Sequence, residues 1–260
     1  MTFKVFRILL VVAFLSLFML TGCGKREKIT HLQQLDGKEI AVPTGTVVDK
    51  LLLTRFPNAK FKYYNNTIDA VLSVKAGQAD AAADDEPILR NIVAKNGGLV
   101  LLPEMITIDN YAFGVQANNH ELKNNIDRVI TDLKNNGDYD EMIWRWFPKS
   151  GNPKPMRAIP SSETKGVLRL GTSSLTEPFS FMDGSGGIVG LDIELARYVA
   201  KKLDKKLVIV NMEFGALIPA LISGKVDMIA SCITITEERA KQILFSEPYY
   251  IGGIGAVVSE

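Results

Sequence analysis

The sequence predicts an α/β protein of two lobes, each a mixed, largely parallel sheet flanked by helices, with a ligand cleft between the lobes. Three observations predict it. Strand-like and helix-like segments alternate on both sides of a Pro-rich stretch, Pro148 to Lys165, as parallel sheets with helical crossovers require. The 260 residues suffice for two separate cores. One phrase also occurs twice, Ala76-Gly77-Gln78-Ala79-Asp80 and Ser223-Gly224-Lys225-Val226-Asp227. Each copy leads through an apolar strand into polar residues, Asp84-Asp85-Glu86 and Ser231 to Thr234. In open α/β sheets, ligands gather beyond the carboxyl ends of the strands.

The first 22 residues stand apart. Lys4 and Arg7 precede an uncharged run from Ile8 to Gly22, short for a membrane span and suited to a signal-peptide core. It ends in Leu20-Thr21-Gly22-Cys23, which resembles a bacterial lipobox. That resemblance implies cleavage, lipidation of Cys23, and a body held to the membrane in the cell envelope, on the extracytoplasmic (periplasmic) side. An uncleaved anchor helix is the alternative. Residues 23–34 are polar and read as a tether.

The body follows in order. Lys38 to Val42 is a strand, and Val47 to Phe56 has helical spacing. Thr67 to Lys75 is a helix, with Thr67 as its N-cap and Gly77 as its C-cap. Ala79 to Ala83 is a strand, Glu86 to Ala94 a helix, and Tyr111 to Gln116 a strand. Leu122 to Trp146 is amphipathic, interrupted at Asn135-Asn136-Gly137. After the linker come a strand at Val167 to Leu170, a turn at Asp183-Gly184, and a helix over Leu191 to Leu203. Leu207 to Val210 is a strand, Ala216 to Ile222 a helix, Val226 to Ala230 a strand, Glu237 to Ile243 a helix, and Ile254 to Val258 a final strand.

Composition narrows the function classes. Hydrophobic residues at 47% and charged residues at 23% are ordinary for a globular protein, and a net charge of +1 argues against a nucleic-acid partner. Two cysteines, Cys23 and Cys232, are too few for a disulfide scaffold. His31 and His120 lie in polar stretches and support neither a metal site nor a catalytic triad. The Gly184-Ser185-Gly186-Gly187 run has Val189 where a dinucleotide loop needs glycine, so it reads as a turn between strands, and no cofactor is expected.

Pro178-Phe179, Gly190-Leu191-Asp192, Ile218-Pro219-Ala220-Leu221, Thr234-Ile235-Thr236, Glu238-Arg239 and Phe245 to Tyr250 stand in an informative order and spacing. On these motifs the second half resembles the first lobe of bacterial extracellular solute-binding proteins of family 3, the polar amino-acid-binding proteins of ABC importers. LDGKEIAVPTGT, GQADAAADDEP and NNGDYDEMIWRWF make residues 35–147 similar to that family's second lobe and C-terminal helices. The halves stand in exchanged order, which looks like a circular permutation. The resemblance implies a two-lobed periplasmic-binding-protein fold of type II. Its expected parts are lobe 2 at 35–115, helices at 116–147 packing on lobe 1, the linker at 148–165, and lobe 1 with a hinge strand at 166–260. The linker reaches up to roughly 60 Å, ample to join the old termini. A monomer is expected, with a domain-swapped dimer as the alternative.

By the same resemblance, the partners are a free amino acid, the permease of an ABC importer and the membrane. A zwitterion needs a cation for its carboxylate and an anion for its ammonium. Arg239 matches the family's carboxylate-binding arginine, whose planar fork grips two oxygens at once; the alternative is a solvated helix arginine behind a Thr236 N-cap. Asp85 matches the ammonium-binding aspartate, with a helix N-cap before Pro87 as the alternative. Ser231, Thr234 and Thr46 align with ligand contacts, Phe214 with a cleft aromatic, and Phe179 with a weaker one whose expected place is the core. Asp84 is a candidate for side-chain selection. Ser173 stands where some members carry an acidic selector, and Pro43 and Val47 replace polar residues seen in others. No residue is expected to be catalytic. Two alternatives stay open: a dehydratase-like enzyme using Asp84 or Glu177 as a general acid, and a sensor that signals through a separate partner.

Overall fold

The computed structural model describes residues 28–148, 156, 158–160 and 164–260. The expected signal peptide, Cys23 and most of the Pro-rich linker lie outside them. Among the described residues no helix is long and apolar enough to cross a membrane.

Two five-stranded sheets make the two lobes. In the first, β1 (Glu39–Pro43) runs parallel to β2 (Lys60–Tyr64) and β3 (Ala81–Asp85), while β4 (Leu99–Leu101) forms the far edge. Further along the chain come β5 (Asp109–Tyr111), β6 (Gly114–Gln116), β7 (Val167–Thr172), β8 (Leu175–Thr176), β9 (Ser180–Met182) and β10 (Ile188–Val189). Then follow β11 (Lys206–Asn211), β12 (Met228–Ile229), β13 (Ile243–Phe245), β14 (Tyr250–Gly252) and β15 (Ile254–Ser259). The first sheet has the order β2-β1-β3-β15-β4 and the second β11-β7-β12-β6-β13. The inner parallel strands β1, β3 and β7 are largely buried and apolar, whereas the edge strand β2, Lys60–Tyr64, is half-exposed.

Each lobe takes one strand from the far side of the linker. β15 enters the first sheet antiparallel to β3, and β6 enters the second antiparallel to β12. Between the sheets β5 and β14 pair antiparallel, with Tyr111 opposite Tyr250. These two crossings join the lobes. The expected strand over Tyr111 to Gln116 is therefore two strands, broken where the chain passes between lobes. The expected border at residue 115 also moves: Gly114 and Val115 belong to the second sheet, and Ile254–Ser259 belongs to the first.

Local chemistry accounts for the other differences. Asn66, not Thr67, caps the Thr67–Lys75 helix, its side chain accepting from the Asp69 amide, while the Thr67 hydroxyl turns to Asp84. The helix after Thr236 stops at Ala240, because Ile243 is drawn into β13 opposite Gln116. The tether reading fails for its last residues: Ile29 and Leu32 are buried with Leu35 and Phe56 beneath the first sheet. The glycine run at 184–187 is the turn between β9 and β10, with Asp183 Oδ1 accepting from the Ser185 and Gly187 amides.

The helices His120–Asn136 and Asp138–Trp146 pack against Leu191–Leu203 on the second lobe. Arg145 Nη1 donates to both Glu194 oxygens at 2.6 and 2.7 Å, and Trp146 Nε1 donates to Glu194 Oε2 at 2.7 Å. Trp144 points outward and is half exposed. Phe179 is fully buried among Tyr111, Phe147 and Tyr250, an aromatic cluster beneath the crossing strands.

Candidate functional site

The lobes face each other across a cavity of about 40 Å³. From the first lobe its wall includes Pro43, Thr46, Val47, Thr67, Asp84 and Asp85; from the second it includes Ser173, Thr176, Phe214, Cys232, Thr234 and Arg239.

Asp84 and Asp85 end β3, where the strand gives way to the Glu86–Lys95 helix. Both are almost fully buried. Asp85 occupies the N-cap position, yet its side chain caps nothing. Its Oδ1 accepts from the Tyr111 hydroxyl at 2.5 Å. Burial pushes both carboxyls well above the usual range; for Asp85 the neighbouring Asp84 charge adds to it, and for Asp84 the Thr67 hydroxyl partly offsets it.

Arg239 faces them from the second lobe. Thr236 caps its short helix, accepting from the Arg239 amide at 3.2 Å. The guanidinium is buried, donates to the Thr234 carbonyl at 3.0 Å, and lies 5.6 Å from the Phe214 ring centroid. Burial lowers its pKa, and the Asp85 charge counters that; an arginine stays protonated under such a shift. The cleft thus sets a guanidinium against a carboxylate pair, complementary to a molecule carrying both charges.

The other expected contacts divide. Ser173, Thr234, Phe214, Thr46 and Asp84 line the cavity. Ser231 does not. It is fully buried one layer behind, bonded to the Thr176 hydroxyl at 3.0 Å and to the Ser173 amide at 3.4 Å, because the tight loop after β12 turns its side chain into the lobe. The Thr46 hydroxyl is engaged within its own turn, donating to the Pro43 carbonyl at 2.9 Å. Sequence reasoning missed Thr67 and Thr176 in the wall. Thr176 had a signal, since it stands three residues beyond Ser173 in a polar run ahead of Pro178.

Cys232 is a buried thiol in the wall, with a left-handed backbone (φ 47°). Its amide donates to Asp192 Oδ2 at 3.1 Å, which ties the cavity-lining loop to the start of the Leu191–Leu203 helix. Among the described residues no group of three histidine, cysteine or acidic side chains could hold a metal ion.

Residues 168–260 match the family described as bacterial extracellular solute-binding proteins, family 3. The arginine-binding extracellular protein ArtP of Bacillus subtilis (strain 168) is 43% identical over 90 residues, 35% of this chain and 35% of that protein. The lysine/arginine/ornithine-binding periplasmic protein of Escherichia coli (strain K12) is 40% identical over 84 residues, 32% of each. The match thus spans about a third of the length of these curated relatives. Among solved structures, the arginine-bound form of domain 1 from TmArgBP is 40% identical, covering 40% of this chain and 87% of that one, at a TM-score of 0.33.

Proposed function

We propose, from the premise that residues 168–260 belong to family 3 of the bacterial extracellular solute-binding proteins, that this protein binds a free, polar L-amino acid by lobe closure and presents it to an ABC importer. One observation carries the reading: Arg239 and Asp85, from opposite lobes, line a single cavity. A zwitterion bridging them would hold the lobes together, and closure is then the differential contact that a permease can read. Arg239, Asp85, Thr234, Ser173, Phe214 and Thr46 are the proposed contacts, with Ser231 supporting them from behind.

The remaining parts follow the same reading. Cys23 carries the lipid that holds the protein to the membrane outside the cytoplasm. The halves are circularly permuted and close within one chain as a monomer; the exchange of β6 and β15 between sheets supports this. The named relatives are binding proteins, which favours a receptor over an enzyme.

Thermal unfolding of the purified protein against each of the twenty amino acids tests the reading. A ligand at a thousand times its Kd adds about 4 kcal/mol, a shift of several degrees. Arg239→Ala should abolish the shift. No shift from any amino acid in the folded wild-type protein, or full binding by Arg239→Ala, would overturn it.

A further inference from the structure

The charges in the cleft do not balance for a neutral amino acid. Asp84 and Asp85 are 4% and 8% exposed, and among the described residues neither has an ion-pair partner within 4 Å. Their side-chain donors are neutral: the Thr67 hydroxyl for Asp84, and the Tyr111 hydroxyl and Cys232 thiol for Asp85. Among the described residues Arg239 is the one lysine or arginine in the wall, and Glu213 adds a further, exposed carboxylate. Of the two buried carboxylates, Asp85 is the one whose field reaches Arg239; Glu238, exposed on the same helix, adds a smaller effect. A zwitterion's ammonium and carboxylate would match Asp85 and Arg239. Asp84, on the Thr67 side, would remain buried with no counter-charge, which a low-dielectric site penalises unless the group is protonated.

We propose that Asp84 selects the ligand by side-chain charge: the cleft takes an amino acid with a cationic side chain over a neutral one, and gives up a proton as it does so. This rests on the amino-acid reading above. In the unliganded cleft the carboxylate pair shares a proton. A cationic side chain reaching Asp84 replaces that proton as its counter-charge, so the proton passes to solvent and no bond other than the O–H breaks. The other titratable groups facing the pair are Asp109 and Tyr111 from β5, Cys232 and Arg239 from the second lobe, and the neighbouring Glu86, which is paired with Arg90. Asp109 adds to the retention of the proton, and Arg239 opposes it. Affinity for a cationic ligand therefore rises with pH through the neutral range, while that for a neutral amino acid stays nearly level.

The test is calorimetry on the full chain with L-arginine and its neutral isostere L-citrulline, at pH 6.5, in two buffers of different ionisation enthalpy. Arginine should bind at least about tenfold tighter and release up to one proton; citrulline should release none. Asp84→Asn keeps the size and an acceptor for Thr67. It should remove most of arginine's advantage and its proton release, with little change for citrulline. Thr67→Val, which keeps the charge, should retain the preference. Equal binding of arginine and citrulline by the wild-type protein would overturn the proposal without help from any variant, and so would equal weakening of both ligands by Asp84→Asn. Binding of neutral amino acids alone would overturn charge selection and leave the receptor reading standing. Binding of no amino acid would overturn both.

Discussion

Gly45 and Gly215 bring the backbones of the two lobes into direct contact: a Cβ built on Gly45 would stand 2.6 Å from the Gly215 Cα. Gly45 also holds φ +77°, where an L side chain is strained. At position 45 the contact between the lobes is one that only glycine permits. Gly45→Ala should weaken ligand binding by about tenfold or more and leave the liganded protein expanded in solution scattering. Gly215→Ala would place its Cβ 3.5 Å from Gly45, an ordinary contact, and should bind nearly as wild type.

The Arg145–Glu194 pair fastens the Asp138–Trp146 helix to the second lobe. Both side chains are buried, and Trp146 shares the same carboxylate. Removing one partner strands the other charge away from water. Glu194→Ala should cost about 3–5 kcal/mol in urea unfolding. Trp146→Phe, which leaves the ion pair intact, should cost about 1–3 kcal/mol.

Two ion pairs cross from lobe to lobe at the rim, Lys50–Glu238 and Lys95–Glu177, both at 2.5 Å. The lysines are more than half exposed. Solvent and salt screen such pairs. Lys50→Met should change ligand affinity by less than about fivefold, and the difference should fade in 0.5 M salt; a larger, salt-resistant loss would mean that the rim drives closure.

Stability should fall as pH rises through neutrality. Asp192 is fully buried, and burial pushes its carboxyl up to about 7. A group that holds its proton more tightly in the native chain than in the unfolded one contributes stability below its ordinary pKa, and that contribution is lost as pH climbs through the native value. Asp84 and Asp85, pushed the same way, act with the same sign. Urea midpoints of the unliganded protein should decrease from pH 5 to pH 8, and Asp192→Asn should flatten part of that slope.

Part of the cavity wall was legible before the fold. The Leu191–Leu203 helix matches its apolar spacing end to end, and the Thr236 cap appears where its residue type places it. Arg239, Asp85 and Thr234 were singled out by motif, and they meet in one cavity. Ser231 was not legible in the same way. A serine after a buried strand can face a cleft or turn beneath it, and only its bonds to Ser173 and Thr176 decide. Thr67 was read as the cap because threonine suits that role; Asn66 takes it, and the Thr67 hydroxyl turns to Asp84.

The sequence by itself determined the α/β class, because the alternation of strand and helix periods is a local property of the chain; Arg239 and Asp85 were picked out by their motifs' resemblance to a family. Only the tertiary structure decided that β6 and β15 change places between the sheets, that Tyr111 reaches Asp85, and that Ile29 and Leu32 belong to a core. Those outcomes depend on which distant segments share one buried surface, and hydrogen-bond pairing and apolar burial settle that only once the two halves meet.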